Sequence, residues 1–449
     1  MSAARDLLTT FEEFLRVPLP VHVRCWDGSE AGPSDAEVRV EFRNRRALRH
    51  VLWAPNELGL TRAYVSGDLV IDGDLYAVLA LPDLVDALGT RTLSNTSPRE
   101  LARLARKFAA LGIIGPPPRP PSVEIPRRRG ALHSKRRDAQ VVSHHYDVGN
   151  DFYRLFLGPS MVYSCGYWSR PDTGTAGLQD AQHDKLDLVC RKLGLEPGMR
   201  LLDVGCGWGS MALHAAQHYG VDVLGVTLSA EQRDFARARI AEAGMSDRIE
   251  IRLQDYRDID ENPFDAISSI GMSEHVGAAR LPEYARHLHE LLVPGGRLLN
   301  HAIASVVYRP EPRSRPATFS RSRPATFSRR RPTTFIDRYV FPDGEILPLS
   351  RTLDAFERAG LEVRDSEALR EHYALTLRAW VANLHEGWDD AVALVGAERA
   401  RTWLLYLSAS ALGFEEPGRL TIHQVLAVRP TSGGASGMPR TRHEWLSDR

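Results

Sequence analysis

The clearest periodicity in the chain lies between residues 199 and 304. MRLLDV (199–204) is an apolar run of the kind that forms a strand buried on both faces of a parallel sheet. It runs directly into Gly205, Gly207 and Gly209. A helical pattern follows, SMALHAAQHYG, with Gly220 as its C-terminal cap. VDVLGVTLS (221–229) predicts a second strand, and Ser229 is placed to cap a helix whose first turn holds Glu231 and Gln232. RIEIRLQDYRDI (248–259) and FDAISSIGMSEHVG (264–277) read as further strands with polar ends. LPEYARHLHELLVPGGRLLNHAIA (281–304) reads as helix, Pro-Gly-Gly turn and strand. Strands alternating with helices predict an α/β fold around a mostly parallel sheet. Ligands of such sheets sit at the carboxyl ends of the strands. Asp203, Thr227, Gln254, Glu274 and His301 all fall at or near those ends.

Other stretches mark the joints. EVRVEFRN (37–44) alternates as a strand does, and GDLVIDGDLYAVLAL (67–81) reads as strand then helix. Residues 1–111 therefore form a small α+β domain. GIIGPPPRPPSVEIPRRRG (112–130) is proline-rich and basic, so 112–139 is expected to be a semi-rigid linker. A second α/β domain runs over 140–430, and the polar, Gly/Ser-rich 431–449 is expected to be a disordered tail.

Composition changes this picture in only a few places. With 57 basic and 57 acidic residues the formal net charge is zero, so bulk charge gives no reason to expect nucleic acid. Two clusters depart from that balance: RRRGALHSKRR (127–137), and the arginine-rich, lysine-free 309–331. In the second, RSRPATFS (313–320) recurs at 321–328, and RRRPTTFI (329–336) is a third copy. A proline in every copy suits a solvated loop; the sharper reading is a basic arm that touches anionic lipid. The start, MSAARDLLTTFEEFLRV, has no apolar signal core, and no run is long enough to span a bilayer. A reducing cytosol without disulfides is the expectation. The cysteines are Cys25, Cys165, Cys190 and Cys206. No pair has the C-x-x-C spacing of a zinc or redox site, and no metal is expected.

The glycine turn narrows the chemistry. Its G-x-G-x-G spacing departs from the dinucleotide G-x-G-x-x-G, and the second strand ends in Thr227 rather than an acid. No G-x-x-x-x-G-K-[ST] is present. D-x-G-x-G-x-G resembles the class I methyltransferases, which bind S-adenosylmethionine there.

A narrower resemblance rests on HHYDVGNDFYRLFLGPSMVYSCGYW (144–168), LLDVGCGWG (201–209), GVTLSAEQ (225–232), LQDYRD (253–258) and GMSEHVG (271–277). Together, in this order, they resemble the cyclopropane-fatty-acyl-phospholipid synthase family over roughly residues 140–430. Residues 1–110 resemble the small N-terminal lipid-handling domain of its phospholipid-acting members. The resemblance implies a Rossmann-like, seven-stranded class I methyltransferase domain. It implies a donor, S-adenosylmethionine, held by Asp203, Gly205, Gly207, Gly209, Thr227, Gln232, Gln254, Asp255 and Tyr256. Tyr163 and Ser164 would close over it from MVYSCGYW. It further implies a bicarbonate held by Cys165, Glu274, His301 and Tyr373. One departure is Ser410 in SASALGFEE, where the family often has a second cysteine; an unactivated serine is no substitute for a thiolate nucleophile.

The chemistry implied is methyl transfer to the cis double bond of an unsaturated phospholipid acyl chain. This leaves a carbon cation that π faces can stabilise, with Tyr163, Tyr167, Trp168, Tyr256 and Tyr373 as candidates. Proton loss then yields a cyclopropane, or a methylene that a separate reductase would convert to a methyl branch. The expected location is the cytoplasm, peripheral to the inner membrane face, with a homodimer left open. Two alternatives remain at this level: a methyltransferase of a soluble small molecule, and a catalytically silent lipid-binding protein.

Overall fold

The computed structural model describes residues 2–15, 18–54, 56–80, 98–125, 133–146, 148–170, 177–307, 335–342, 344–415 and 420–446. Two compact units emerge. The smaller is built on the N-terminal region and also takes in 335–340 and Asp389–Leu412. Its four-stranded sheet has β1 (Val21–Cys25), β2 (Glu30–Ala31), β3 (Val38–Phe42) and β4 (Leu69–Gly73) in the order β2-β1-β3-β4. Helix Ala3–Leu15 buries Ala4 and Leu7 in the cluster that holds Val21, Val23 and Val38. The segment expected to be a linker packs here instead, as far as residue 125. Ile113 and Ile125 are buried, and Glu124 accepts both forks of Arg62 (2.7 and 2.8 Å), one from Arg338 (2.5 Å) and the hydroxyl of Tyr339 (3.0 Å). Proline-rich composition signals stiffness; it does not reveal that two isoleucines in the stretch will find a core.

The larger unit contains a seven-stranded sheet of β5 (Arg200–Val204), β6 (Asp222–Thr227), β7 (Ile249–Leu253), β8 (Phe264–Ile270), β9 (Leu292–Ser305), β10 (Glu362–Ala368) and β11 (Leu420–Val428). The order is β10-β11-β9-β8-β5-β6-β7. Strands β9, β8, β5, β6 and β7 pair in parallel, while β11 runs antiparallel to both its neighbours. Clusters of apolar side chains cover both faces, which is why β5, β6 and β8 read as continuous apolar runs. The Pro-Gly-Gly element is a bulge inside β9 rather than a turn before it. Pairing with β8 jumps from Phe264↔Leu292 to Ala266↔Arg297.

The C-terminal stretch is not loose as far as it is described. Helix Arg442–Leu446 seats Trp445 in the core beside Val189 and Leu193, and Arg191 Nη1 donates to Leu446 O at 2.8 Å. Met438 and Leu446 pack against the same core, and Arg442 pairs with Asp365. The arginine repeat falls outside the described residues except for Phe335 and Ile336, which begin helix Phe335–Tyr339. Among the described residues no helix is long and apolar enough to cross a membrane.

Candidate active site

The crossover from β5 to helix Ser210–Tyr219 builds the pocket floor. Gly205, Gly207 and Gly209 all have positive φ (79°, 53° and 80°), which L side chains adopt only with strain. A Cβ on Gly207 would meet nothing within 4 Å, so that glycine faces open space. Gly209 differs: it does not line the pocket, and its Cβ would lie 3.0 Å from Ala236 Cβ. Its smallness brings two helices together. The pocket leaves about 160 Å³ open to the centres of water-sized molecules. A single water needs only about 10–15 Å³ on that measure, so this is room for a ligand rather than a packing flaw.

Its walls carry the strand-end residues. Tyr163, Ser164, Asp203, Gly205, Gly207, Thr227, Gln232, Gln254, Asp255 and Tyr256 all line it. Thr227 donates to Gln232 Oε1 (2.8 Å), and Ser229 caps the helix by accepting from Gln232 N (3.2 Å). Burial works against the charge of Asp255, yet the Arg257 guanidinium, 2.8 Å from Oδ1, holds its pKa below the usual carboxylate value. Asp203 is buried; Oδ1 accepts from Ser268 Oγ (2.7 Å) and Oδ2 has no hydrogen-bond partner among the described residues. Burial pushes its pKa up to about 6. Facing the same pocket is Lys185, also buried, whose pKa burial draws down to about 8. Its Nζ donates to Ser164 Oγ at 3.0 Å.

The segment MVYSCGYW is fastened from two helices. From helix Leu178–Leu193, Gln182 Nε2 donates to Ser164 O (2.9 Å), and Ala181 O accepts from Tyr167 N (2.8 Å). From helix Arg370–Glu386, Thr376 Oγ1 accepts from Gly166 N and Trp168 Nε1 (both 3.0 Å), and His372 Nδ1 accepts from Trp168 N (2.8 Å). Tyr167 stacks on His372 at 4.9 Å. Tyr167 and Trp168 thus serve to dock the segment and do not line the pocket, unlike Tyr163 and Tyr256.

Cys165, His301 and Tyr373 are buried, Glu274 is half-buried, and none of the four lines this pocket. Ties between them are visible. Leu369 O accepts the backbone N–H of Tyr373 (3.0 Å) and lies 3.7 Å from Cys165 Sγ. His301 pairs with Ile270 across β8 and β9, and Glu274, just beyond β8, accepts from Ile303 N through Oε1 (2.8 Å). Trp380 bridges to the pocket: its ring lies 5.3 Å from Tyr163 and 6.0 Å from Tyr373.

Protonation states follow from these surroundings. Burial pushes the Cys165 thiol far above its ordinary pKa, so it is a neutral wall group, not a thiolate. Burial raises Glu274 to about 7, and its Oε2 has no hydrogen-bond partner among the described residues. His301 is held neutral by burial and by the cations Lys185 and Lys192. Its tautomer can be deduced. Lys192 Nζ donates to Gln424 Oε1 (2.9 Å), which fixes the amide so that Gln424 Nε2 faces His301 Nδ1 at 3.3 Å. An NH2 can only donate, so Nδ1 accepts and the ring proton sits on Nε2. That Nε2–H also has no partner among the described residues.

Comparison with known proteins fits this arrangement. The family model for mycolic acid cyclopropane synthetase matches residues 133–425. The chain belongs to the mycolic acid cyclopropane synthetase family. A probable fatty acid methyltransferase of Mycobacterium tuberculosis is 43% identical over 94% of this chain and 93% of its own length. The cyclopropane-fatty-acyl-phospholipid synthase of Escherichia coli is 36% identical over 68% of this chain and 71% of its own. The solved mycolic acid cyclopropane synthase CmaA1, in complex with SAH and CTAB, superposes with a TM-score of 0.56 at 34% identity, covering 64% of this chain and 97% of that one.

As a member of this family the chain is an S-adenosylmethionine-dependent methyltransferase of the class that modifies fatty acyl chains. The pocket suits that donor, which carries an ammonium, a carboxylate and a sulfonium: Asp203 offers an open anionic oxygen and Lys185 a cation. Sequence reading missed Lys185, Gln424, Thr376 and Trp380. Nothing local flags them, because each acts on a group more than 20 residues away.

Proposed function

We propose that the protein transfers the methyl carbon of S-adenosylmethionine to the cis double bond of an unsaturated acyl chain of a membrane phospholipid, with bicarbonate bound by Cys165, Glu274, His301 and Tyr373. The observation that carries this reading is a pair of buried polar atoms without partners among the described residues: Glu274 Oε2, in the turn after β8, and His301 Nε2, on β9 opposite the last residue of β8. A buried donor without an acceptor costs about 1–3 kcal/mol, so a small polar guest is favoured there. Phospholipid as substrate is supported by the Escherichia coli relative's name, and the small N-terminal unit is the candidate lipid-handling part.

An isolated alkene is a poor nucleophile, so the protein's first task is to hold it in line with the sulfonium methyl in a dry site. Tyr163 and Tyr256 on the pocket wall, with Trp380 and Tyr373 behind, present π faces to the cation that forms on the acyl chain. Bicarbonate, when bound, supplies the base that accepts the methyl proton. Neutral His301 donates to an anion from Nε2. Glu274 can be protonated near neutrality, so it holds an anion without like-charge repulsion. Protonated Cys165 closes the wall without competing as a nucleophile.

Loss of a proton from the new methyl gives a cyclopropane. A hydride shift before that loss gives a methylene, which a separate reductase would convert to a methyl branch. Either way the protein works peripherally at the inner membrane face. Incubation with donor and vesicles of cis-monounsaturated phospholipid, followed by mass spectrometry of the acyl chains, should show the gain of one carbon and two hydrogens. NMR then separates ring from methylene. Methylation of soluble acceptors with unchanged acyl chains would overturn the proposal.

A further inference from the structure

Away from the strand ends, helix Leu178–Leu193 packs on helix Ser210–Tyr219. His183 on the first meets His214 and His218, one turn apart on the second. One ring nitrogen from each of the three lies within 4.8 Å of the other two. The ring centroids are 5.0 Å apart for His183 and His214, 5.8 Å for His183 and His218, and 4.5 Å for His214 and His218. His214 is buried and its Nε2 has no hydrogen-bond partner among the described residues. The nearest anion, Asp187 Oδ1, is 3.9 Å away and already accepts from the Tyr219 hydroxyl at 2.6 Å. His183 and His218 are exposed, which leaves the cluster open to solvent on one side.

We propose that His183, His214 and His218 bind a divalent transition metal ion of the Zn2+ class. The site clamps together the two helices that wall the donor pocket. Imidazole nitrogens suit zinc, nickel and copper and discriminate against magnesium and calcium, which take oxygen ligands. Zinc–nitrogen bonds of about 2.0–2.1 Å in a tetrahedron bring the nitrogens to roughly 3.4 Å from one another. The two exposed rings can swing in to meet that distance while His214 stays fixed, and the fourth position faces solvent water. Lys185 and Leu186 on one helix, and Ser210 and Met211 on the other, line the donor pocket. An ion tying residue 183 to 214 and 218 therefore stiffens both of its walls. No step of methyl transfer passes through the ion, and the inference does not rest on the proposed substrate.

The test uses tag-free, full-length protein and zinc chloride alone. Calorimetric titration should show one ion per chain for the wild type. The double variant His183→Ala, His218→Ala replaces two exposed helical residues with the best helix former, so the fold is kept. It should bind zinc at least ten-fold more weakly while its metal-free Tm stays near that of the wild type. Zinc at about 100 times its Kd should raise the wild-type Tm by roughly 3–5 °C and leave the double variant unmoved. Cobalt in place of zinc should give the visible absorption bands of a tetrahedral site in the wild type only. Equal zinc binding by the two proteins, no binding by the wild type, or a wild-type Tm indifferent to zinc would overturn the proposal.

Discussion

Replacing Glu274 by glutamine should make the protein more stable and less active, and the gain in stability should depend on pH. Glu274 is half-buried as a residue but its Oε2 is shielded from solvent, and burial raises its pKa from 4.5 to about 7. The folded state therefore prefers the protonated acid. Below about pH 4.5 the carboxyl is neutral in both states and carries no penalty. Between there and pH 7 the unfolded chain ionises while the folded one does not, and folding loses about 1.4 kcal/mol for each pH unit. Above pH 7 the penalty levels off at about 3 kcal/mol. Glutamine never ionises, and its amide oxygen can still accept from Ile303 N, so the variant escapes the whole penalty. Thermal melts of both proteins at intervals from pH 5 to pH 8 should show Tm curves that nearly meet at the acid end and diverge by several degrees toward neutrality. Turnover should fall by roughly one or two powers of ten, the typical cost of lost acid–base function. A Tm difference that is the same at every pH, or a variant less stable at pH 8 than the wild type, would refute the reasoning about this carboxyl.

Other outcomes follow from the same geometry. Gly207→Val puts a branched side chain into open space at φ 53°; calorimetry should show donor affinity reduced at least ten-fold in a variant that still folds by circular dichroism. Cys165→Ser keeps a small donor near Gly166 O, 3.2 Å from the present sulfur, so partial activity should remain, and intact-mass measurement of the wild type during turnover should show no acyl adduct. Depleting bicarbonate should slow the wild type and affect Glu274→Gln much less. Deleting 313–328 should weaken co-sedimentation with anionic vesicles at low salt, where each basic residue near the surface is worth about 1 kcal/mol.

The central strands were legible because their signals are local: apolar runs, glycines at the β5 turn, and Ser229 before its helix. That the strand-end residues would line one pocket was legible for a related reason, since strand ends gather at one rim of such a sheet. Gly209 shows the limit of the pattern, as a glycine in the motif that serves helix packing. The Pro-Gly-Gly bulge in β9 was hidden because a turn signal does not say whether the ladder resumes on the same strand. Trp445 and the isoleucines at 113 and 125 drew polar segments into cores, which composition averages away. The four residues around the proposed bicarbonate came from resemblance, not from spacing. What the structure adds is the chain from Lys192 through Gln424 that sets the His301 tautomer, a relation between residues more than 120 positions apart. The histidine cluster was half legible: HAAQH shows two rings on one helix face, while His183 comes from another helix.

The most direct test of the account is the fate of the donor's hydrogens. S-adenosylmethionine carrying a fully deuterated methyl group is supplied with cis-monounsaturated phospholipid vesicles, and the product acyl chains are examined by mass spectrometry and NMR. If the methyl adds to the double bond and then loses a proton to the base beside Glu274 and His301, every modified chain carries two of the three donor deuterons, in a ring or in a methylene. Retention of all three, or acyl chains that gain none, would contradict the account.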